Sequence, residues 1–261
     1  MIKPKITIIT ATYYRPDLLA RAIKSVQRST FKEYEHIIVS DHCPKAQQVY
    51  DIFKEDKRIK FFEQEPPHTP NQGARAHNFA IEKKAKTDLF CYLGDDNIIL
   101  PNFLEVMYNA LTDGSHDGIF TKTYTLPIKK GDGGVLSILS RNFDHDINPE
   151  KYVLDDIEID KCPRDIGNFG HTRRLFEKAG SQILVKDRHS EGSEDCLWFG
   201  QIDTQVLKGR VKVKDLHVFT GVYYGRSACR VRDEDYHNKV KGLKEDEVFV
   251  YPEILKKNGI I

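Results

Sequence analysis

Runs of β-branched and aliphatic residues alternate along this chain with segments whose apolar positions recur every three or four residues. Ile6-Thr7-Ile8-Ile9-Thr10 carries nothing more polar than threonine and predicts a strand buried on both faces. Arg15-Pro16-Asp17 then opens a helix in which Leu18, Leu19, Ala22, Ile23 and Val26 share one face, with Pro16 suited to the first turn. The same reading gives strands at 36–40, 59–62, 89–93, 118–125 and 211–214, and helices at 46–53, 73–84, 103–111 and 197–207. The expected architecture is α/β, with a mostly parallel central sheet flanked by helices on both faces.

Ligands of such sheets sit beyond the carboxyl ends of the strands. The polar residues that follow the strands should therefore converge: Thr10, Ala11, Thr12, Tyr13 and Arg15 after the first, Asp41 and His42 after the second, and Asp95-Asp96-Asn97 after the fourth. The third group is the most costly, because adjacent acids at the end of the apolar run Phe90-Cys91-Tyr92-Leu93 raise each other's pKa and resist desolvation. A cation or a polar ligand compensates such a pair, and magnesium takes one or two protein carboxylates and completes its shell with phosphate and water. Each group alone is also what an ordinary turn contains. Three on one edge point to a nucleotide site. Neither Gly-x-Gly-x-x-Gly nor a P-loop sequence occurs, which weakens dinucleotide and P-loop readings.

Composition narrows the classes. The 261 residues suit one large domain or a domain with an appended lobe, and 40 basic against 39 acidic side chains argue against nucleic acid as a partner. The start of the chain has no long apolar leader, and no run approaches the roughly 18 apolar residues of a membrane span, so a cytoplasmic chain with no transmembrane segment is expected. Five scattered cysteines without a Cys-x-x-Cys pair read as reduced thiols.

Several segments resemble, in order, those of the inverting family-2 glycosyltransferases of GT-A fold. Thr7-Ile8-Ile9-Thr10-Ala11-Thr12-Tyr13-Tyr14-Arg15-Pro16 looks like that family's opening strand and turn, and Ile37-Ile38-Val39-Ser40-Asp41 like its Ile-Val-Val-Asp-Asp. Asn71-Gln72-Gly73 with Ala76-His77-Asn78 is similar to the Asn-x-Gly and Ala-Arg-Asn segment, and Leu93 to Pro101 to the metal-binding Asp-x-Asp region. Gly167-Asn168-Phe169-Gly170 and Arg174 to Gly180 resemble the acceptor-side segment, and Glu194-Asp195 the motif carrying the catalytic base. Ala11 replaces the usual Pro, Ser40 the first acid of its pair and His77 the usual Arg, while Gly94 stands where the first metal-motif acid normally lies.

The resemblance implies a nucleotide-sugar donor, most readily a UDP-sugar, and a divalent cofactor, Mn2+ or Mg2+. It carries base recognition to Asp41, metal binding to Asp96 and ribose contact or a share of the metal to Asp95. Thr10, Ala11, Thr12, Tyr13, Arg15, Arg75 and His77 fall on the donor side. Asp195 is the expected general base with Glu194 as runner-up, although acids there also suit a helix start. His217 is a candidate third metal ligand, with no ligand-spacing motif beside it. His171, His189 and His237 read as surface or acceptor-loop residues, and Trp198 as core.

The expected division is a glycosyltransferase domain at 1–228, with a nucleotide-sugar half at 1–126 and an acceptor half at 127–228, and a C-terminal tail at 229–261. The stretch 127–163 reads as an acceptor-side insertion, and Arg226 and Arg230 as candidate phosphate contacts. The tail lacks the Gln-x-x-Arg-Trp segment of processive synthases, which favours transfer of a single sugar to a glycan or lipid-linked acceptor, with peripheral membrane contact left open. Two alternatives stand: a sugar-nucleotide nucleotidyltransferase, which would want a glycine-bearing phosphate loop that Thr10 to Arg15 lacks, and a catalytically silent carbohydrate-binding protein.

Overall fold

The structure is a computed structural model that describes residues 3–13, 16–41, 45–64, 73–125, 139–140, 166–182 and 194–223. These belong to one compact unit, Met1–Tyr224. Arg15, His42, His189, Arg226, Arg230, His237, nearly all of 127–163 and the tail lie outside the described residues, as does the side chain of Glu194.

In chain order the elements are β1 (Ile6–Thr12), α1 (Pro16–Gln27), β2 (Tyr34–Ser40), α2 (Ala46–Phe53), β3 (Ile59–Glu63), α3 (Ala74–Phe79), β4 (Leu89–Tyr92), β5 (Ile98–Ile99), α4 (Phe103–Thr112), β6 (Gly118–Thr125), β7 (Leu139–Ser140), β8 (Phe169–Thr172), α5 (Arg173–Ala179), α6 (Glu194–Leu207) and β9 (Val213–Tyr223). The sheet runs β3-β2-β1-β4-β8-β6-β9-β5, with β7 beside β6. The expected parallel core is β3-β2-β1-β4, and β9 is parallel to β6. Short β8 makes the sheet mixed, lying antiparallel between β4 and β6.

Alternating side chains divide the core. On one face Ile6, Ile8 and Cys91 pack with Ala22 and Val26 of α1 and with Phe103, Leu104 and Met107 of α4. Leu19 and Ile23 of α1 also meet Ile38 and the α2 residues Ala46, Val49 and Phe53. On the other face Ile9, Ile37, Val39, Phe90 and Tyr92 pack against α3, α5 and α6 through Ala76, Leu175, Phe176, Trp198 and Phe199. Burying both faces of the parallel core explains its near-continuous apolar strands.

The expected helix at 73–84 is divided into α3 and a π-helical turn, Ala80–Lys84. Gly73 precedes α3 at φ 114°, and a Cβ there would stand 3.2 Å from Ala11 Cβ, so a glycine lets the helix start close to the end of β1. The Thr172 hydroxyl caps α5 by accepting from Leu175 N–H at 3.2 Å. No helix among the described residues is long and apolar enough to cross a membrane.

Candidate active site

The parallel strands deliver their following residues to one edge. The ladder continues past the strand ends, with Asp41 N–H donating to Thr12 O and Gln64 N–H to Ser40 O, each at 2.9 Å. Beyond β4 the chain turns sharply, and Asn97 N–H closes the turn on Gly94 O at 3.0 Å, leaving Asp95 and Asp96 at its corner. Thr12 Oγ1 donates to Asp95 Oδ2 at 2.8 Å, and the Arg21 guanidinium of α1 donates to the Asp96 carbonyl. Both acids are nearly enclosed by the protein, at 0% and 6% exposure. A Cβ on Gly94 would meet Asp96 Oδ1 at 2.8 Å, so the glycine leaves the Asp96 carboxylate free to hold this orientation.

Thr12, Tyr13, Asp41, Asp95 and Asp96 therefore gather at the carboxyl edge. Other residues expected on the sugar-donor side do not join them in the same way. The Thr10 hydroxyl is buried and paired with His36 Nε2 at 2.9 Å, because strand alternation turns it into the α1 face. Ala11 faces the opposite side, against Gly73. Arg75 is half-buried beside β3, where a cavity of about 490 Å³ is bounded by Glu63, Gln64, Arg75, Asn78, Phe79, Glu82 and Lys83. His77 is buried against Tyr92, with ring centroids 4.8 Å apart, and its Nδ1 lies 3.0 Å from Gln182 Oε1. Burial lowers its pKa to about 4, so at neutral pH it carries no charge to offer a diphosphate.

Asp195 sits in the first turn of α6, half-buried. Tyr92, the last residue of β4, connects this helix to the turn that follows the strand. Its hydroxyl pKa is pushed up mainly by burial, and the negative charge of Asp195 adds to the rise. His171 Nδ1–H donates to Thr172 O at 2.9 Å, which leaves Nε2 to accept from the Tyr92 hydroxyl at 2.6 Å. His171 was expected at the surface or in an acceptor loop. It is instead fully buried, because β8 alternation places it with Phe169 among the aromatic rings beneath α6. Trp198 is core as expected, at 0% exposure, with Nε1–H donating to Gly180 O at 2.9 Å.

The polar layer beneath α6 was not foreseen. Asn78 grips the main chain of Gln182 at both ends: its Nδ2 donates to Gln182 O and its Oδ1 accepts Gln182 N–H, each at 2.9 Å. The Gln182 side chain then meets His77. The sequence signal was the family-like Ala76-His77-Asn78 triplet, but its partner lies 104 residues away.

His217 lies in a bulge of β9. Phe120 pairs with Asp215 and Lys122 with Phe219, so three β9 residues stand opposite Thr121, and His217 takes φ 54°. Its backbone N–H donates to Asp215 Oδ1 at 2.7 Å, and its side chain is 58% exposed. β5 pairs antiparallel with β9 through Ile98 and Val222, so the end of β9, and not the His217 bulge, runs alongside the acidic turn.

The fit of a divalent ion rests on the chemistry of that turn. No cluster of three or more His, Cys, Asp or Glu side chains assembles among the described residues. A lone Asp96 carboxylate, with Asp95 next to it, suits a hard ion that draws its remaining oxygens from phosphate and water.

The glycosyl transferase family 2 model matches residues 7–169. An uncharacterized glycosyltransferase of Rickettsia conorii is 27% identical over 217 residues, covering 79% of this chain and 33% of the relative. A Campylobacter jejuni GalNAc(5)-diNAcBac-PP-undecaprenol β-1,3-glucosyltransferase is 30% identical over 118 residues, 42% of this chain and 36% of its own. The chain thus spans about a third of the length of these curated relatives. Among solved structures, S. aureus TarS 1-349 in complex with UDP-GlcNAc superposes with TM-score 0.62 at 15% identity, over 94% of this chain and 69% of that one. Pyrobaculum calidifontis mannosyltransferase PcManGT, in complex with GDP-Man and Mn2+, gives 0.55 at 12% identity, over 95% and 67%. The structural likeness shows a shared GT-A fold, and with the family match covering more than half of its length, this chain belongs to glycosyl transferase family 2.

Proposed function

We propose that the chain transfers one sugar, with inversion, from a nucleoside-diphosphate sugar to a hydroxyl of a glycan or lipid-linked acceptor, with a UDP-sugar as the foremost donor. The observation that carries this reading is the pairing of two acidic stations at the end of one strand: the Thr12-braced Asp95-Asp96 turn after β4, and Asp195 in the first turn of α6, the helix whose Trp198 packs edge-on against Tyr92 of the same strand with ring centroids 6.3 Å apart. Relatives bearing UDP-GlcNAc, GDP-Man and an undecaprenol-linked acceptor in their descriptions support the substrate classes.

Asp195 takes the acceptor proton as the new bond to the anomeric carbon forms and the bond to the diphosphate oxygen breaks; Glu194 is the second candidate. Asp41 reads the base, and Asp95 holds the ribose or shares the ion. Asp96 would hold Mn2+ or Mg2+, which when bound supplies positive charge against the leaving diphosphate. Residues 1–126 form the nucleotide-sugar half and 127–228 the acceptor half in this reading.

Calorimetry of UDP, GDP, dTDP and CDP with and without manganese tests it. One diphosphate should bind only with metal and lose that binding in Asp96→Ala, with folding unchanged. Absence of binding for all four under both conditions would leave a glycan-binding role on the same fold.

A further inference from the structure

β8 enters the sheet against the direction of its neighbours, so its beginning, not its end, stands at the carboxyl edge. Its pairings run Cys91 with Gly170 on β4 and Phe120 with Phe169 on β6. Extending both registers by one step or two sets Asn168 between Leu93 and Thr121, and the Asn168 carbonyl does accept from Thr121 Oγ1 at 3.2 Å. Asn168 therefore lies beside the residue that precedes the Gly94–Asn97 turn.

Asn168 is 1% exposed, yet neither Oδ1 nor Nδ2 of its carboxamide has a hydrogen-bond partner. A carboxamide brings two N–H donors and an oxygen with two lone pairs, and a fold rarely buries one with none of them used. Other buried groups left open are partial cases or lie elsewhere. Gln182 has one amide atom engaged, and Tyr34 and Ser29 stand at the opposite end of the sheet, at the start of β2 and just after α1. Asn168 combines a wholly unused amide with a position at the catalytic edge. Groups that weaken a fold in this way persist where a ligand uses them.

We infer that Asn168 is a specificity-determining residue that grips the transferred sugar: Oδ1 accepts from one hydroxyl while Nδ2–H donates to its neighbour. Adjacent hydroxyls of a pyranose match the spacing of the two amide atoms, whereas the nucleoside and diphosphate are held by the β1, β2 and β4 ends. This inference rests on the proposed sugar transfer and names the contact that would read the sugar.

The experiment compares wild type with Asn168→Ala and the volume-conserving Asn168→Leu, using UDP against UDP-glucose, or GDP against GDP-mannose if GDP is the diphosphate that binds. With manganese present, both variants should keep diphosphate affinity within about twofold and lose about tenfold or more for the sugar nucleotide, since the polar groups of the sugar then lose their partners. Their melting temperatures should match or exceed that of wild type, because an unused buried amide has been removed. Equal weakening of both ligands, unchanged affinity for both, or a melting temperature several degrees lower in both variants overturns the assignment and makes Asn168 a structural or water-binding residue. A wild-type chain that binds neither ligand overturns the proposed function and this inference with it.

Discussion

Thr12 and Asp95 are joined across 83 positions of sequence by a buried hydrogen bond of 2.8 Å, from the last residue of β1 to the turn after β4. This bond sets the aim of the acidic turn. Thr12→Val keeps the β-branched shape and removes the donor, leaving Asp95 with one bond fewer in an enclosed setting, a loss of about 1–3 kcal/mol. Urea unfolding should show that loss, and manganese-dependent diphosphate affinity should fall about tenfold. A variant equal to wild type in both would detach the bond from the site.

Gly94→Ala tests the turn from the other side. Its new Cβ would meet Asp96 Oδ1 at 2.8 Å, so the carboxylate must rotate away. Because a side-chain tip and not backbone yields, stability should change by less than about 1 kcal/mol. Metal-dependent diphosphate binding should nevertheless drop severalfold by calorimetry, and intact binding would show that Asp96 does not need this orientation.

Asp195→Asn should leave diphosphate affinity as in wild type while turnover of sugar nucleotide falls by about two to four orders of magnitude, the range expected for loss of a general base. A near-normal rate moves the base role to Glu194 or to a substrate group.

Acid should weaken the fold through three buried imidazoles. Burial lowers the pKa of His36 to about 3 and of His77 and His171 to about 4, from an ordinary 6.5. The unfolded chain binds more protons once pH drops below 6.5, so stability is full above that value and is lost as pH falls towards 4, with His36 continuing to about 3. Urea midpoints at pH 7, 5.5 and 4.5 should decline steadily, with unfolding taking up to about three protons. A flat profile would show that these rings are accessible to protons in the folded chain.

Strands 1 to 4 were legible because burial on both faces leaves continuous apolar runs, and the edge they share followed from their direction. β8 was not legible as a strand. Phe169-Gly170-His171-Thr172 is four residues with a glycine and a histidine, and its pairing depends on neighbours about 80 and about 50 residues distant. Asp95 and Asp96 announced themselves as adjacent acids after an apolar run, whereas the Thr10–His36 pair, the Asn78–Gln182 clamp and the Tyr92–His171 bond join residues whose local surroundings carry no sign of a partner. His217 drew notice as an imidazole after an apolar strand, but the bulge that fixes its place depends on the register of β6 against β9.

The antiparallel insertion of β8 also dictates an order of assembly during synthesis. When residues 1–125 have left the ribosome, β4 and β6 both exist as sequence, yet the strand that separates them is still to come, and each presents an open row of peptide groups on that side. Direct pairing of β4 with β6 would shut out β8 and produce a trapped chain, so residues 126–172 must emerge before the sheet can close. A chaperone that shields those edges until β8 emerges should therefore raise the yield of native protein, whereas a translational pause between β6 and β8 should lower it.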